Sequence, residues 1–425
     1  MKEKRKASDM WVIGFALFAM FFGSGNLIFP SYLGRMIGSH YLQGLIGFMI
    51  TGIGLPLLSV MATAKAGGEF SHISHQIGKV FSVILMTFLI LSIGPFLAIP
   101  RTAATTYEIG IRPFFPTLSP LIVIIIYFII NLILVLRPST IVDVIGKFLT
   151  PVLLVILLVL IIKGILVPIG PVTTASIDSV FSRAIIEGYQ TMDALGAVCF
   201  SSIIVNNIRE KGYKEKGEII GVTLKSSLVA VVGLGVIYGG LMYLGTHTGH
   251  ISGDIEKTQL ITTLAGQILG NIGSVLLAIA VAIACLTTSI GLTMTAANYF
   301  SDLFKQKVSY STVAVITSLI GVAIASMGVD RIVGVTGPVL NILYPLIIVL
   351  VVISLIESVP SPIVYQLPVY VTLIIVLVEE GSKLAGMNTN WFSFLPFSQL
   401  GFSWLVPAVV SYIIAKIITM GLKRS

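Results

Sequence analysis

Charge is what this chain has least of. Only 10% of its 425 residues are charged, where a soluble domain carries roughly 25%. Such a chain cannot cover its surface with hydrated groups, so a soluble globular protein is excluded. Cysteine is nearly missing. Cys199 and Cys285 both lie inside apolar segments, and no disulfide framework is expected. The five histidines (His40, His72, His75, His247 and His250) fall in loops or at segment ends. There is no HExxH, no CxxC and no Walker-type glycine loop. These absences count against a metal centre, a membrane metalloprotease and a pump with its own ATP motor. The opening Met-Lys-Glu-Lys-Arg-Lys leads into an apolar stretch longer than a signal-peptide core and without a cleavage site, so it reads as a retained first span.

What is there is apolar. Hydrophobic residues make up 56% of the chain. Twelve segments are long enough to cross a bilayer, at about 10–36, 41–64, 78–108, 118–136, 145–167, 184–208, 218–245, 271–303, 309–327, 332–356, 363–380 and 396–420. The expected class is therefore an all-α integral membrane protein with 12 transmembrane helices. An even count puts both termini on one side. The basic N-terminus, Arg209, Lys211, Lys214, Lys216, Lys305, Lys307, Lys416, Lys423 and Arg424 then share the cytoplasmic side, as the positive-inside rule asks. The formal net charge of +8 thus speaks of topology and not of a nucleic-acid partner. Residues 66–76 and 254–268 are candidate surface helices.

Two segments are interrupted. Phe21-Phe22-Gly23-Ser24-Gly25-Asn26-Leu27-Ile28-Phe29-Pro30 breaks the first. Glu187-Gly188-Tyr189-Gln190-Thr191-Met192-Asp193-Ala194-Leu195-Gly196-Ala197 breaks the sixth and puts a carboxylate near mid-membrane. Non-helical backbone at that depth is tolerated only beside protein or a polar cavity, and an ionisable residue there points to function. The plain alternatives are a kinked, tightly packed helix and a structurally paired Asp. Each break opens a block of five spans. Five is odd, so the second block enters from the opposite side. Interrupted spans at matching positions of two inverted blocks point to a secondary transporter. The division is 1–167 for the first block, 168–183 for an extracellular linker, 184–356 for the second block and 357–425 for the last two helices. A channel would need a continuous polar pore and an enzyme a cluster of titratable groups. The chain offers neither.

A broken helix presents free amides at one half and free carbonyls at the other. The amides of Ser24, Gly25 and Asn26 are expected to meet a substrate carboxylate, with Gly23 and Gly25 allowing close approach. Carbonyls around Thr191, Met192 and Ala194, near Gly196, are expected to take an ammonium group, with Asp193 adding charge or accepting a proton. Phe22, Leu27, Phe96 and Ile99 are expected to line the apolar remainder. In the eighth segment Thr287 and Thr288, with carbonyls of Ala284, Ala19 and Phe22, make a five-oxygen set for Na⁺. The competing reading is that these hydroxyls bond back to their own helix.

Three motifs carry a resemblance: Gly-Phe-Ala-Leu-Phe-Ala-Met-Phe-Phe-Gly-Ser-Gly-Asn-Leu-Ile-Phe-Pro at 14–30, Gly-Pro-Phe-Leu-Ala-Ile-Pro-Arg-Thr-Ala at 94–103, and Gly-Tyr-Gln-Thr-Met-Asp-Ala-Leu at 188–195. The chain resembles, over essentially its whole length, the bacterial branched-chain amino acid:cation symporters of the BrnQ type. The resemblance implies import of leucine, isoleucine and valine across the bacterial cytoplasmic membrane by symport with Na⁺ or H⁺; the alternative is a cation-coupled symporter of another small neutral amino acid, since the spacing does not fix side-chain size. It also implies a LeuT-like 5+5 inverted repeat with discontinuous helices 1 and 6 and two further C-terminal helices. No cofactor beyond the coupling ion and no protein partner are implied. Leu286-Thr287-Thr288-Ser289-Ile290 is similar to the eighth-span pattern of that fold and implies its shared sodium site. The second sodium site of that pattern draws on an asparagine in the seventh span, and here Ser226 and Ser227 stand without one. A third-span lid tyrosine has no counterpart.

Overall fold

The computed structural model describes residues 2–136, 150–251, 253, 255–357, 361–387 and 392–422. Lys423, Arg424 and the first residues of the fifth expected span lie outside them. The described residues are helical, without strands. In chain order the helices are α1 (Lys2–Phe21), α2 (Ser24–Ile37), α3 (Tyr41–Met49), α4 (Leu55–Lys65), α5 (Ser71–Ser74), α6 (Lys79–Leu91), α7 (Ala98–Thr105), α8 (Pro120–Val135), α9 (Thr150–Leu166), α10 (Val180–Tyr189), α11 (Asp193–Glu210), α12 (Lys216–Thr246), α13 (Lys257–Leu303), α14 (Tyr310–Ala325), α15 (Val329–Ile356), α16 (Pro362–Leu384) and α17 (Leu405–Leu422).

Six continuous helical stretches among the described residues are long and apolar enough to cross a membrane, and α10 with α11 makes a seventh that is bent by 40° at its break. Shorter apolar helices lie at Asp9–Phe21, Pro120–Val135, Pro151–Leu166, Tyr310–Ala325 and Leu405–Gly421. Their outward faces are greasy. Ile122, Ile126, Ile129 and Ile133 on α8, and Val152, Val155, Val159 and Ile162 on α9, are all exposed. A water-soluble chain does not leave such stripes bare. This is a multi-pass membrane protein.

Several boundaries move from their expected places, each for a local reason. The first break is narrower than the motif suggests. Only Phe22 and Gly23 leave the helix, and α2 starts at Ser24 and runs through Pro30. Pro30 sits in the second turn of α2. The third span carries wide turns at Ser92–Phe96 and Thr106–Ile111, with non-helical backbone at Gly94 before Pro95. The expected surface helix at 254–268 is the first part of α13, set off from the rest by Gly270 in the left-handed region. The one at 66–76 shrinks to α5 and a short turn at His75–Ile77. The last helix begins at Leu405, later than its apolar composition indicates, because residues 392–404 turn repeatedly before it.

The interior falls into two apolar clusters. One gathers α1, α2, α9, α12 and much of α13. The other gathers α6, α7, α15, α16 and part of α17. Helix α11 belongs to both, with Ala197 and Ile204 in the first and Leu195 and Val198 in the second. Both breaks lie where the clusters meet. Helices α2 and α12 touch at backbone distance. A Cβ on Gly34 would lie 1.9 Å from the Met242 carbonyl oxygen, and one on Gly245 would lie 2.0 Å from that of Ser31. Small residues at a crossing are how membrane helices approach this closely. The linker before α10 is fastened over the same helix ends, where Thr173 N–H donates to the Thr246 carbonyl at 2.7 Å and Ser176 N–H to that of Met36 at 2.9 Å.

Candidate functional site

The two breaks face one another across a cavity of about 30 Å³. That is room for about one or two ordered waters. Met20, Gly23, Ser24, Gly25 and Asn26 line it from the first break, and Thr191, Met192, Asp193 and Gly196 from the second. Arg101 and Thr102 reach it from α7, Phe200 from α11, and Thr288 and Leu292 from α13.

Each break holds itself open by local bonding. Gly23 N–H donates to Asn26 Oδ1 at 2.9 Å rather than to the Ala19 carbonyl behind it, which caps α2 and leaves that carbonyl without its helix donor. In the second break Met192 takes the left-handed conformation, with φ 62°. Thr191 Oγ1 donates to the Gly188 carbonyl at 2.9 Å and accepts from Asp193 N–H at 3.4 Å. Asp193 therefore sits in the first turn of α11, where the free amides and the helix dipole favour a carboxylate.

Asp193 joins three helices. Its Oδ2 accepts from Asn26 Nδ2 at 2.6 Å and from the Tyr238 hydroxyl at 2.9 Å, and Asn26 Nδ2 also meets the Tyr238 oxygen. Tyr238 comes from α12, the seventh segment, where an asparagine is absent. It is fully buried, edge-on to Phe48 at 5.4 Å.

Arg101 is the residue that motif reading passed over. It is buried in α7 and donates from Nη1 to the Gln190 carbonyl at 2.7 Å, from Nη2 to the Thr191 carbonyl at 3.4 Å and from Nε to Ser24 Oγ at 3.3 Å. The Phe29 ring lies 5.3 Å below its guanidinium. One signal was available in the sequence: a cation in mid-segment, at Ile99-Pro100-Arg101, is a functional pointer by default.

Several expected positions change. The Thr191 carbonyl already accepts from Arg101, and the Met192 carbonyl accepts Gly196 N–H at 2.9 Å in the first turn of α11. Ala194 is buried and does not line the cavity. Phe96 is 42% exposed and lies in a separate apolar cavity with Phe88 and Leu97, because the wide turn at Gly94 and Pro95 rotates it away. Leu27 and Ile99 are core residues. The Phe22 ring is also in the core, stacked on Phe18 at 5.2 Å, and only its backbone addresses the site. Of the cation set, Thr288 Oγ1 reaches the Phe22 carbonyl at 3.5 Å, so α1 and α13 do meet there. Thr287 Oγ1 donates to its own helix, to the Ala284 carbonyl at 2.9 Å. Among the described residues no group of three or more His, Cys, Asp or Glu is placed to hold a metal ion.

Two helices broken at one cavity, in an all-helical membrane bundle, are the arrangement of the LeuT-like fold, and solved structures of that fold superpose on the chain. One is a nucleobase-cation-symport-1 family transporter in a closed conformation with bromovinylhydantoin bound, at TM-score 0.64 and 14% identity over 96% of this chain and 91% of that one. Another is MhsT in complex with L-phenylalanine, at TM-score 0.58 and 16% identity over 95% and 98%. These identities speak for the fold alone.

The sequence gives the family. Residues 6–421 match the family described as "Branched-chain amino acid transport protein". The chain is 35% identical to the branched-chain amino acid permease BraB of Bacillus subtilis, over 99% of this chain and 97% of that one. It is 36% identical to the branched-chain amino acid transport system 2 carrier protein of Pseudomonas aeruginosa, over 96% of each. The chain belongs to this family of branched-chain amino acid transporters, and it is not an enzyme.

Proposed function

We propose that the protein imports leucine, isoleucine and valine across a bacterial cytoplasmic membrane by symport with Na⁺, through alternating access around the cavity between the breaks. The observation that carries this reading is the meeting of both breaks at one small cavity faced by Arg101 and Asp193. The organisation that fits is twelve spans with both termini cytoplasmic, the first ten as two inverted fives and α16 and α17 as the added pair. The described helices support it, since each expected span has a helix within it.

For the coupling ion, the Phe22 carbonyl beside Thr288 is the core of the site, with the Ala19 carbonyl freed by the capping of Gly23. Thr287 and Ala284 complete the oxygen set once the Thr287 hydroxyl turns outward. H⁺ is the second reading, and Asp193 supports it, because its hydrogen-bond partners are an amide and a hydroxyl with no cation among them.

The test is uptake of labelled leucine into proteoliposomes under an imposed Na⁺ gradient, an imposed H⁺ gradient, or neither. Na⁺-driven accumulation is expected, with Thr288→Ala raising the Na⁺ needed for half-maximal uptake by roughly 10-fold, the equivalent of one lost ligand of about 1.4 kcal/mol. An unchanged Na⁺ requirement removes Thr288 from the ion site. Leucine flux equal to passive leak under both gradients ends the symport reading.

A further inference from the structure

Two opposite charges face the cavity without pairing with each other. Arg101 is 2% exposed, and its bonds go only to neutral oxygens, those of Gln190, Thr191 and Ser24. They use three of its N–H groups, and a guanidinium has about five. Asp193 is 5% exposed, and its carboxylate accepts from Asn26 and Tyr238. A buried cation whose hydrogen bonds all go to neutral oxygens keeps part of its desolvation cost. The surroundings tilt further toward positive, because α2 and α11 both begin here and each brings the positive end of a helix dipole. Two helix N-termini and one guanidinium stand against one carboxylate. The guanidinium thus has no negative group hydrogen-bonded to it.

The first turn of α2 packs directly against Arg101. Gly25 lies in the first turn of α2, against the guanidinium: a Cβ there would fall 2.8 Å from Nη2 and 3.1 Å from the Thr191 Cα. The guanidinium and the first amides of α2 therefore border the same small volume. The Phe29 ring holds the guanidinium plane from the other side.

We propose that Arg101 is the carboxylate-recognition residue of the transported amino acid. Its uncommitted N–H groups and the amides at the start of α2 take the carboxylate. Asp193 and the carbonyls of the second break take the ammonium, so the zwitterion closes the gap between the two unpaired charges. Arg101 loosens its hold on Gln190 and Thr191 as it turns to the carboxylate, which hands those carbonyls to the ammonium. This inference rests on the transport reading above.

The experiment uses the full chain in proteoliposomes, with leucinamide, which keeps the ammonium and lacks the carboxylate, as a competitor of leucine uptake. In the wild type leucinamide is expected to inhibit at least ~100-fold more weakly than leucine, since a site built on a hydrogen-bonded charge rejects an analogue lacking it. Arg101→Gln is expected to raise the KM for leucine roughly 10-fold or more and to shrink the gap between leucine and leucinamide by a similar factor. Arg101→Lys, which keeps the charge without the fork, is expected to restore part of that gap. A wild-type KM in Arg101→Gln overturns the proposal. So does a raised KM with the gap unchanged, the mark of a structural brace. Should neither variant reach the membrane, the wild type still tests it: leucinamide competing as well as leucine overturns the proposal. A wild type that takes up no leucine fails at an earlier point and overturns the transport reading together with this one.

Discussion

At the scale of the residue, the site depends on what each polar side chain has to answer it. Asn26 is a hub. Its Oδ1 caps α2 through Gly23, and its Nδ2 meets Asp193 and Tyr238. Asp193 is the acceptor on which the α2 and α12 contacts converge. Asp193→Ala leaves the Asn26 amide and the Tyr238 hydroxyl without their acceptor, at about 1–3 kcal/mol for each unsatisfied group. Asp193→Asn keeps the shape, loses the charge and must turn a donor toward one of these partners. Leucine uptake by Asp193→Asn is expected to fall by at least about 100-fold, equivalent to ~2.7 kcal/mol, while the protein still reaches the membrane. Uptake at the wild-type rate across pH 5.5–8, roughly the window in which coupled carboxylates titrate, would reduce Asp193 to a tie between helices. Asp193 and the glycine–serine–glycine–asparagine run were legible in the sequence, because a polar residue at membrane depth has few innocent explanations. Their partners were not. Nothing local to Arg101 or Tyr238 says that their side chains point at breaks lying between 45 and 212 residues away.

At the scale of the element, helix ends are held by side chains from other helices. Helix α15 starts after Gly328 with no cap of its own. The Glu108 carboxylate, at the end of the third span, accepts Val329 N–H at 2.9 Å and the Thr258 hydroxyl of α13 at 2.6 Å. One carboxylate thus supplies a remote N-cap and ties three spans at one end of the bundle. Glu108→Ala is expected to lower stability by about 1–3 kcal/mol, as a buried N–H and a hydroxyl lose their acceptor. The thermal midpoint of the detergent-solubilised protein reads this, and an unchanged midpoint would show the tie to be idle. Element positions were largely legible, since an apolar run of sufficient length is a direct consequence of the bilayer's thickness. Where the sequence misled, at Phe96 and at the start of α17, the cause lies in backbone that composition does not encode: a widened turn at Gly94-Pro95, and a run of turns before Leu405.

At the scale of the whole molecule, the two apolar clusters are joined at the site and clamped again at the far end. There Lys65 Nζ donates to the carbonyls of Leu355 at 2.7 Å and Glu357 at 2.9 Å. The Glu357 carboxylate accepts from Lys416 at 2.7 Å and from the Tyr412 hydroxyl at 2.6 Å. Burial pushes the Glu357 carboxyl up, but Lys416, Tyr412 and Lys65 outweigh it and hold it below its ordinary value. A carboxyl lowered on folding contributes stability that is present above its unfolded value, about 4.3, and lost as pH falls through the folded one. The clamp is therefore expected to weaken only below about pH 4. Glu357→Gln is expected to lower the thermal midpoint at pH 7 and to flatten its decline toward acid. A variant that tracks the wild type down the acid limb would show that Glu357 contributes nothing through its charge.

By itself the sequence determined the class, the positions of the apolar helices, the two breaks and the family. Each of these follows from local composition or from a contiguous motif, which the chain carries wherever it folds. Tertiary structure decided who answers whom: Arg101 on the carbonyls of Gln190 and Thr191, Tyr238 and Asn26 on Asp193, Thr288 on Phe22. Those pairings join residues far apart in the chain. A buried polar group must find its partner from whatever the packed helices bring within about 3 Å, and that is a property of the bundle and of no single stretch within it.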